Sequence, residues 1–203
     1  MLDPQDRNQF LNFAGLALGG LALLALGLGW AFSVDPPPLE KLSWDWQAAG
    51  CGLAGTAPLL VLFGLVYWLP IAALRTIRKF LATELAPSLA TLKWFDLVLM
   101  ALLTGVAEEL FFRGLLESWI GRFWSNALFG MAHLVTPTYG VLAFLVGYYL
   151  SWLMTLTKPA NLLTPIVTHA VYDYWGFLII IWLHRRERPN PKAGAEAEEG
   201  PEI

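Results

Sequence analysis

Ionisable side chains lie inside apolar stretches of this sequence, where charge is costly. Glu108, Glu109 and Arg113 fall near the end of the apolar run that begins at Trp94. An unpaired charge at a bilayer centre costs at least about 2.5–3.5 kcal/mol, so these residues need buried partners or a wet cavity. Glu109 and Arg113 are one helical turn apart, and we expect an ion pair between them. Glu108 points in another direction without a sequence-local partner, which favours the role of a general base.

Two of the three histidines also lie in apolar stretches. His133 follows Phe129 by four residues, and His169 precedes Asp173 by four, so the two members of each pair share a helix face. Carboxylates and imidazoles in one cavity could supply an activated water, a donor to an oxyanion and a proton for a leaving amine. Hydrolysis of a peptide bond requires all three. The structural alternative is that each group is neutralised by its own neighbour.

The composition places these residues in a membrane protein. Of the 203 residues, 57% are hydrophobic and 14% are charged, outside the usual balance of a soluble domain. Apolar windows predict about six transmembrane segments, most of them close to the roughly 20 residues that a crossing requires. These segments are 10–32, 47–69, 94–116, 123–134, 139–156 and 162–183. The predicted fold class is therefore all-α, a polytopic membrane helical bundle.

The segments between the crossings predict how the chain lies in the membrane. A basic amphipathic stretch over 71–85 is predicted to be an interfacial helix that Pro87 interrupts. Six crossings place this stretch and both termini on one side, which the excess of Lys and Arg assigns to the cytoplasm. Aromatic residues at the segment ends, Tyr139 among them, are typical of an interfacial belt. We expect a bacterial-type plasma membrane or an internal membrane.

Three regions follow from these patterns. Residues 1–92 are predicted to form an N-terminal transmembrane hairpin with the interfacial helix, and 93–184 a catalytic transmembrane core. Residues 185–203 are rich in Pro, Gly, Ala and Glu and are predicted to be a disordered cytoplasmic tail. The sequence lacks the basic footprint of a nucleic-acid-binding protein. The expected partners are the lipid bilayer and a membrane protein or peptide substrate.

Three short motifs occur in order on successive apolar segments. They are Glu-Glu-x-x-x-Arg at 108–113, Phe-x-x-x-His at 129–133 and His-x-x-x-Asp at 169–173. Together they resemble the motifs of the CAAX protease and bacteriocin-processing (CPBP) family of intramembrane endopeptidases, also called the Abi family. The resemblance covers roughly 94–182. It implies an endopeptidase that cuts a membrane-associated peptide or protein near one bilayer surface, without implying that the substrate is prenylated.

The resemblance also implies a role for each motif residue. Glu108 and His133 would activate the attacking water, and His169 with residue 173 would stabilise the oxyanion. Many family members have asparagine at the last position, whereas this chain has Asp173. An ionised aspartate cannot donate to an oxyanion, so His169 is the better candidate for that role. The candidate catalytic residues are Glu108, His133, His169 and Asp173, and the candidate supporting residues are Glu109, Arg113 and Phe129.

The sequence leaves the cofactor open between none and zinc. Glu108, His133 and His169 are a plausible zinc set, because a catalytic zinc keeps three protein ligands and one open position. The zinc motif His-Glu-x-x-His is absent. The family has been described both as metal-dependent and as glutamate-dependent, and we favour the metal-free reaction.

Two other classes of function use the same residues. A catalytically inactive family member could act as a membrane chaperone, an immunity factor or an assembly factor, with the polar cluster in a structural role. A proton-coupled transporter is the other alternative, because intramembrane Glu, His and Asp also form proton relays. The lack of an internal repeat and of matched broken helices makes a transporter less attractive.

Overall fold

The computed structural model describes residues 6–187, and within them all regular structure is helical. The helices are α1 Arg7–Ala31, α2 Trp46–Trp68, α3 Ala72–Phe80, α4 Ala86–Leu89, α5 Trp94–Glu109, α6 Glu117–Ala132, α7 Pro137–Met154 and α8 Leu163–Glu187. Two π-helical segments, π1 Leu81–Leu85 and π2 Leu110–Leu116, join α3 to α4 and α5 to α6, and a 3₁₀ turn spans Pro38–Lys41. The predicted all-α class is confirmed.

Every predicted membrane segment coincides with a helix in the described residues. By length and composition, α1, α2 and α8 can each cross a membrane. The third predicted segment is α5 continued by π2, and the fourth overlaps α6, which ends at Ala132, two residues before the predicted end. The assignment of about six crossings, the side of the membrane and the division into three regions stay predictions.

The third and fourth segments are connected by a sharp reversal at Gly121. This residue has φ 84° and ψ 162°, a backbone conformation that glycine adopts without strain. The remainder of α6 packs back on π2, where the Ser125 hydroxyl donates to the carbonyl of Phe112 at 2.7 Å. The reversal brings the end of α6, which carries His133, towards the end of α5, which carries Glu108 and Glu109.

The long helix α8 packs between α2 and α5 through small residues. The Thr168 hydroxyl donates to the carbonyl of Gly52 at 2.9 Å. A Cβ atom at Gly52 would lie 2.7 Å from the carbonyl oxygen of Thr164, and one at Gly105 would lie 3.1 Å from the nitrogen of Ala170. Glycines that allow such close backbone approach are typical of helix packing in membranes. This packing places the middle of α8 against α5.

The interfacial stretch differs from its prediction in one respect. α3 is amphipathic, with Leu74 and Ile77 buried, but Pro87 does not interrupt the helical run, which continues through π1 to the end of α4. In π1 the N–H of Ala86 bonds to the carbonyl of Leu81, five residues back. Pro87 follows in the first turn of α4, where its missing N–H is tolerated. The predicted interruption is therefore wrong.

An ion pair holds the start of α1, and α8 extends to the end of the described residues. Arg7 forms a bidentate ion pair with Asp96, with Nε–Oδ2 and Nη2–Oδ1 both at 2.6 Å, so α1 and α5 begin on the same side of the bundle. α8 continues through 185–187, so the predicted disorder is wrong for these three residues. The remainder of the predicted tail, 188–203, lies outside the described residues.

The α2–α8 contact gives a stability prediction. Gly52→Ala should destabilise the protein by about 1–3 kcal/mol, because its methyl group would overlap the backbone of α8. Gly50→Ala is the matched control in the same helix, since its Cβ would have no atom within 4 Å. Unfolding by sodium dodecyl sulfate in mixed micelles measures both free energies. Equal stability of the two variants would show that the close approach is not required.

Candidate active site

The three sequence motifs converge on one point in the bundle. Glu108 lies at the end of α5, His133 directly follows α6, and His169 and Asp173 lie one turn apart in α8. Glu108 Oε2 is 3.8 Å from His133 Nε2 and 3.9 Å from His169 Nε2. His169 Nε2 is also 3.6 Å from Asp173 Oδ2. The side chains of four candidate catalytic residues therefore face each other across helix boundaries.

Glu108 is held near the histidines without a direct hydrogen bond to them. Its side chain is 14% exposed, and its Oε2 atom has no hydrogen-bond partner among the described residues. Separations of 3.8 and 3.9 Å exceed a direct hydrogen bond. A carboxylate with a free oxygen next to two imidazoles has the geometry that a general base requires.

Glu109, unlike Glu108, is held by hydrogen bonds, because Arg113 and His169 both bind its Oε1 atom. Its Oε1 atom accepts from Arg113 Nη1 at 2.9 Å, and both side chains are fully buried. The same oxygen lies 2.7 Å from His169 Nδ1. The predicted ion pair is present. The Glu109 carboxylate also orients the His169 ring. A proton on Nδ1 is donated to Glu109, so Nε2 faces Glu108 and Asp173.

Phe129 supports both the arginine and the first histidine. Its ring centroid lies 4.5 Å from the Arg113 guanidinium carbon and 4.4 Å from the centroid of the His133 ring. His133 Nδ1 lies 2.8 Å from the carbonyl oxygen of Phe129. A proton on this nitrogen is donated to the backbone, so Nε2 carries the lone pair that faces Glu108. The four-residue spacing of this motif thus sets the orientation of the imidazole.

A cavity of about 160 Å³ opens from this cluster. His133, His169 and Asp173 lie at its polar end. The remaining walls are mostly aliphatic or aromatic and come from α2, α3, π1, α7 and α8. They include Leu59, Phe63, Ile77, Leu81, Leu142 and Phe177. An apolar cavity with a few converging polar groups is the usual form of a binding site.

Tyr139 is a site residue that the sequence did not identify as one. We expected it in an interfacial aromatic belt, and the structure places it in the wall of the cavity, with its ring centroid 6.3 Å from that of His133. Tryptophans expected in the belt, such as Trp30 and Trp68, are exposed at 86% and 88%. The available signal was proximity along the chain, since only a short turn separates Tyr139 from His133.

The three residues of the predicted zinc set lie close together but are not arranged as metal ligands in the described residues. Within residues 6–187, no group of three or more His, Cys, Asp or Glu side chains is placed to hold a metal ion. Glu108, His133 and His169, the set expected for zinc, surround a gap in which both imidazole Nε2 atoms face a single carboxylate oxygen. The choice between a metal-free reaction and zinc stays a prediction.

Comparison with known proteins gives one match. Residues 90–175 match the family model described as type II CAAX prenyl endopeptidase Rce1-like. The matched range contains all three motifs, at 108–113, 129–133 and 169–173. No curated protein and no solved structure matches the chain. The family match confirms the resemblance that the motifs indicate.

The Glu109–Arg113 pair generates a second stability prediction. Arg113→Met should cost about 3–5 kcal/mol, because it leaves a buried carboxylate without its cation. Adding Glu109→Gln should recover part of this loss, since no unpaired buried charge then remains at residue 109. The free energy of unfolding in mixed micelles measures both effects.

Arg122→Met is the control for this experiment. Arg122 pairs with Glu117 at 2.8 Å, but its side chain is 41% exposed, so its loss should cost about 0–1 kcal/mol. If Arg113→Met were as mild as this control, the buried pair would not stabilise the bundle.

Proposed function

We propose that this chain, whose residues 90–175 match the Rce1-like family model, hydrolyses a peptide bond of a membrane-associated peptide or protein. The family match and the helices that can span a bilayer support an integral membrane protein of the CAAX-type intramembrane protease kind. The observation that supports the proposed reaction most is the Glu108 carboxylate, which faces the Nε2 atoms of His133 and His169 beside an apolar cavity.

In the proposed reaction, Glu108 acts as the general base. A water bound by the part-exposed Glu108 carboxylate, next to the His133 imidazole, loses a proton to the carboxylate as its oxygen attacks the scissile carbonyl carbon. A C–O bond forms, and the carbonyl π electrons move to oxygen. The proton then passes from Glu108 to the amine nitrogen as the C–N bond breaks, so no co-reactant other than water is needed.

His169 is the proposed donor to the oxyanion. Its Nδ1 is engaged by Glu109, so Nε2 can donate only when the ring is an imidazolium. Carboxylates of Glu108, Glu109 and Asp173 lie within 4 Å of this ring and favour its positive charge. A charged donor held by a buried carboxylate is oriented before the substrate arrives, which is the condition for electrostatic stabilisation of a transition state.

Asp173 is proposed to stabilise the charged ring and not to donate to the oxyanion. Its Oδ2 atom lies 3.6 Å from His169 Nε2, and both residues line the cavity. An ionised carboxylate is an acceptor only, so it would repel the oxyanion unless the imidazolium lies between them. The position of Asp173 one turn after His169 allows this electrostatic role.

The apolar walls of the cavity support a substrate that presents apolar groups next to the scissile bond. Side chains of α2 and α7 form much of the wall, and Ile77 and Leu81 extend it to the amphipathic stretch that is predicted to lie at the membrane surface. A membrane-associated segment could enter along this path without exposing its apolar groups to water.

Glu108→Gln tests the proposed base. Glutamine has nearly the same shape but cannot accept the proton, so the rate of cleavage should fall by about 10²- to 10⁴-fold. The measurement uses purified protein in detergent with a set of internally quenched peptides that carry apolar residues. Glu84→Gln, at an exposed position, should cleave like the wild type. Equal cleavage by wild type and a folded Glu108→Gln variant would refute the assignment.

A chelator tests the proposal that the reaction is metal-free. Activity of the purified protein should be unchanged after incubation with 1,10-phenanthroline and removal of the chelator, because side chains supply the base and the donor. Loss of activity that zinc restores would replace this proposal with the zinc alternative, for which Glu108, His133 and His169 would be the ligands.

A further inference from the structure

A line of buried polar side chains continues from Arg113 away from the cavity. Arg113 Nη2 donates to Asn126 Oδ1 at 3.3 Å and to the carbonyl oxygen of Gly147 at 3.0 Å. Asn126 Nδ2 donates to the Ser151 hydroxyl at 3.0 Å, and this hydroxyl donates to Glu117 Oε2 at 2.6 Å. The line therefore joins Glu117, the first residue of α6, to the arginine of the site.

The direction of every hydrogen bond in this line is fixed. Asn126 must present its oxygen to Arg113, because Nδ2 also donates to the carbonyl of Arg122 at 2.9 Å. If the Asn126 amide were flipped, its NH₂ group would face the Arg113 guanidinium and its oxygen would face the Arg122 carbonyl, so both hydrogen bonds would be lost. Asn126 and Ser151 have no exposed surface, so an unpaired polar atom at either residue would be costly. Arg113 is thus held in one position.

The backbone of α7 is shaped around this contact. Gly147 lies where the guanidinium and the Asn126 amide meet, and a Cβ at this position would overlap Asn126 Oδ1 and lie 3.1 Å from Arg113 Nη2. The missing side chain lets the Gly147 carbonyl approach the guanidinium directly.

We propose that Asn126, Ser151 and Glu117 are positioning residues that hold the Arg113 guanidinium and, through Glu109, orient the His169 imidazole. Both terminal nitrogens of the Arg113 guanidinium are held, with Nη1 bonded to Glu109 and Nη2 bonded to Asn126. Release of the Asn126 end lets the guanidinium move, and Glu109 then no longer presents Oε1 to His169 Nδ1 in a single geometry.

None of the three positioning residues lines the cavity. Their loss should therefore change the state of His169 without changing the surface that a substrate contacts. The effect on His169 follows from the structure alone, whereas an effect on turnover also rests on the proposed function. The two consequences are measured separately, so that failure of one is distinguishable from failure of the other.

The first measurement is nuclear magnetic resonance of protein with ¹⁵N-labelled histidine in detergent micelles. The chain has three histidines, which His133→Gln and His184→Gln variants assign. In Asn126→Leu and Ser151→Ala, the ring nitrogen signals of His169 should move while those of His184 stay in place. If Asn126→Leu does not fold, Ser151→Ala, which removes a single hydroxyl, decides the result.

Ser125→Ala is the matched control for Ser151→Ala. Ser125 is equally buried, but its hydroxyl bonds to the carbonyl of Phe112 and lies outside the line. His169 signals should match the wild type in this variant. Unchanged His169 signals in the folded Asn126 and Ser151 variants, or an equal change in Ser125→Ala, would overturn the proposal.

The second measurement separates kcat from KM, with the quenched peptide that the wild type cleaves fastest. Ser151→Ala should lower kcat by about tenfold with KM unchanged, as loss of a residue that orients a catalytic group commonly does. Glu117→Gln keeps an acceptor for Ser151 and should retain the wild-type kcat, whereas Glu117→Leu should resemble Ser151→Ala. A raised KM with unchanged kcat, or equal rates for the two Glu117 variants, would contradict a positioning role.

Absence of cleavage by the wild type would count against the proposed function, and the histidine signals would still decide the positioning role.

Discussion

Arg113 is 1% exposed in an apolar bundle, and a charge at such a position needs partners that surround it. Glu109 supplies the opposite charge, the face of Phe129 lies against the guanidinium, and Asn126 and the Gly147 carbonyl accept from its other nitrogen. These partners come from α5, α6 and α7, so the same electrostatic requirement that keeps the arginine buried also ties three helices together. The position of Glu109, and through it the orientation of the His169 ring, follows from the burial of Arg113.

The adjacent glutamates show how one helix separates structural and chemical roles. Successive residues point about 100° apart on an α-helix, so Glu108 and Glu109 face different neighbours although they are covalently adjacent. Glu109 binds Arg113 and His169 through Oε1, whereas Glu108 makes no such hydrogen bond, and the Oε2 atoms of both residues are buried without a partner among the described residues. An unpaired buried oxygen destabilises the fold, and such a cost is commonly retained where it is needed for chemistry.

Local spacing predicted the contacts within each helix but not those between helices. The Glu109–Arg113 and His169–Asp173 pairs follow from the four-residue repeat of a helix, and apolar windows located every helix that carries them. The reversal at Gly121 and the link from Asn126 to Arg113 depend on how α6 packs against π2 and α7, which no local pattern specifies. The contribution of Tyr139 to the cavity was missed for the same reason, since a tyrosine at a segment end suits either an interface or a cavity mouth.

Charge balance connects Asp173 to the other residues of the site. Glu108, Glu109 and Asp173 carry three negative charges when ionised, and Arg113 carries one positive charge, which leaves two negative charges uncompensated. An uncompensated charge in an apolar bundle is costly, so each carboxylate of the site needs a positive or polar group beside it. An asparagine at residue 173 would remove one of the three negative charges. Asp173 therefore adds a charge directly beside His169 Nε2, and the imidazole, which Glu109 holds at Nδ1, is the group placed to compensate it.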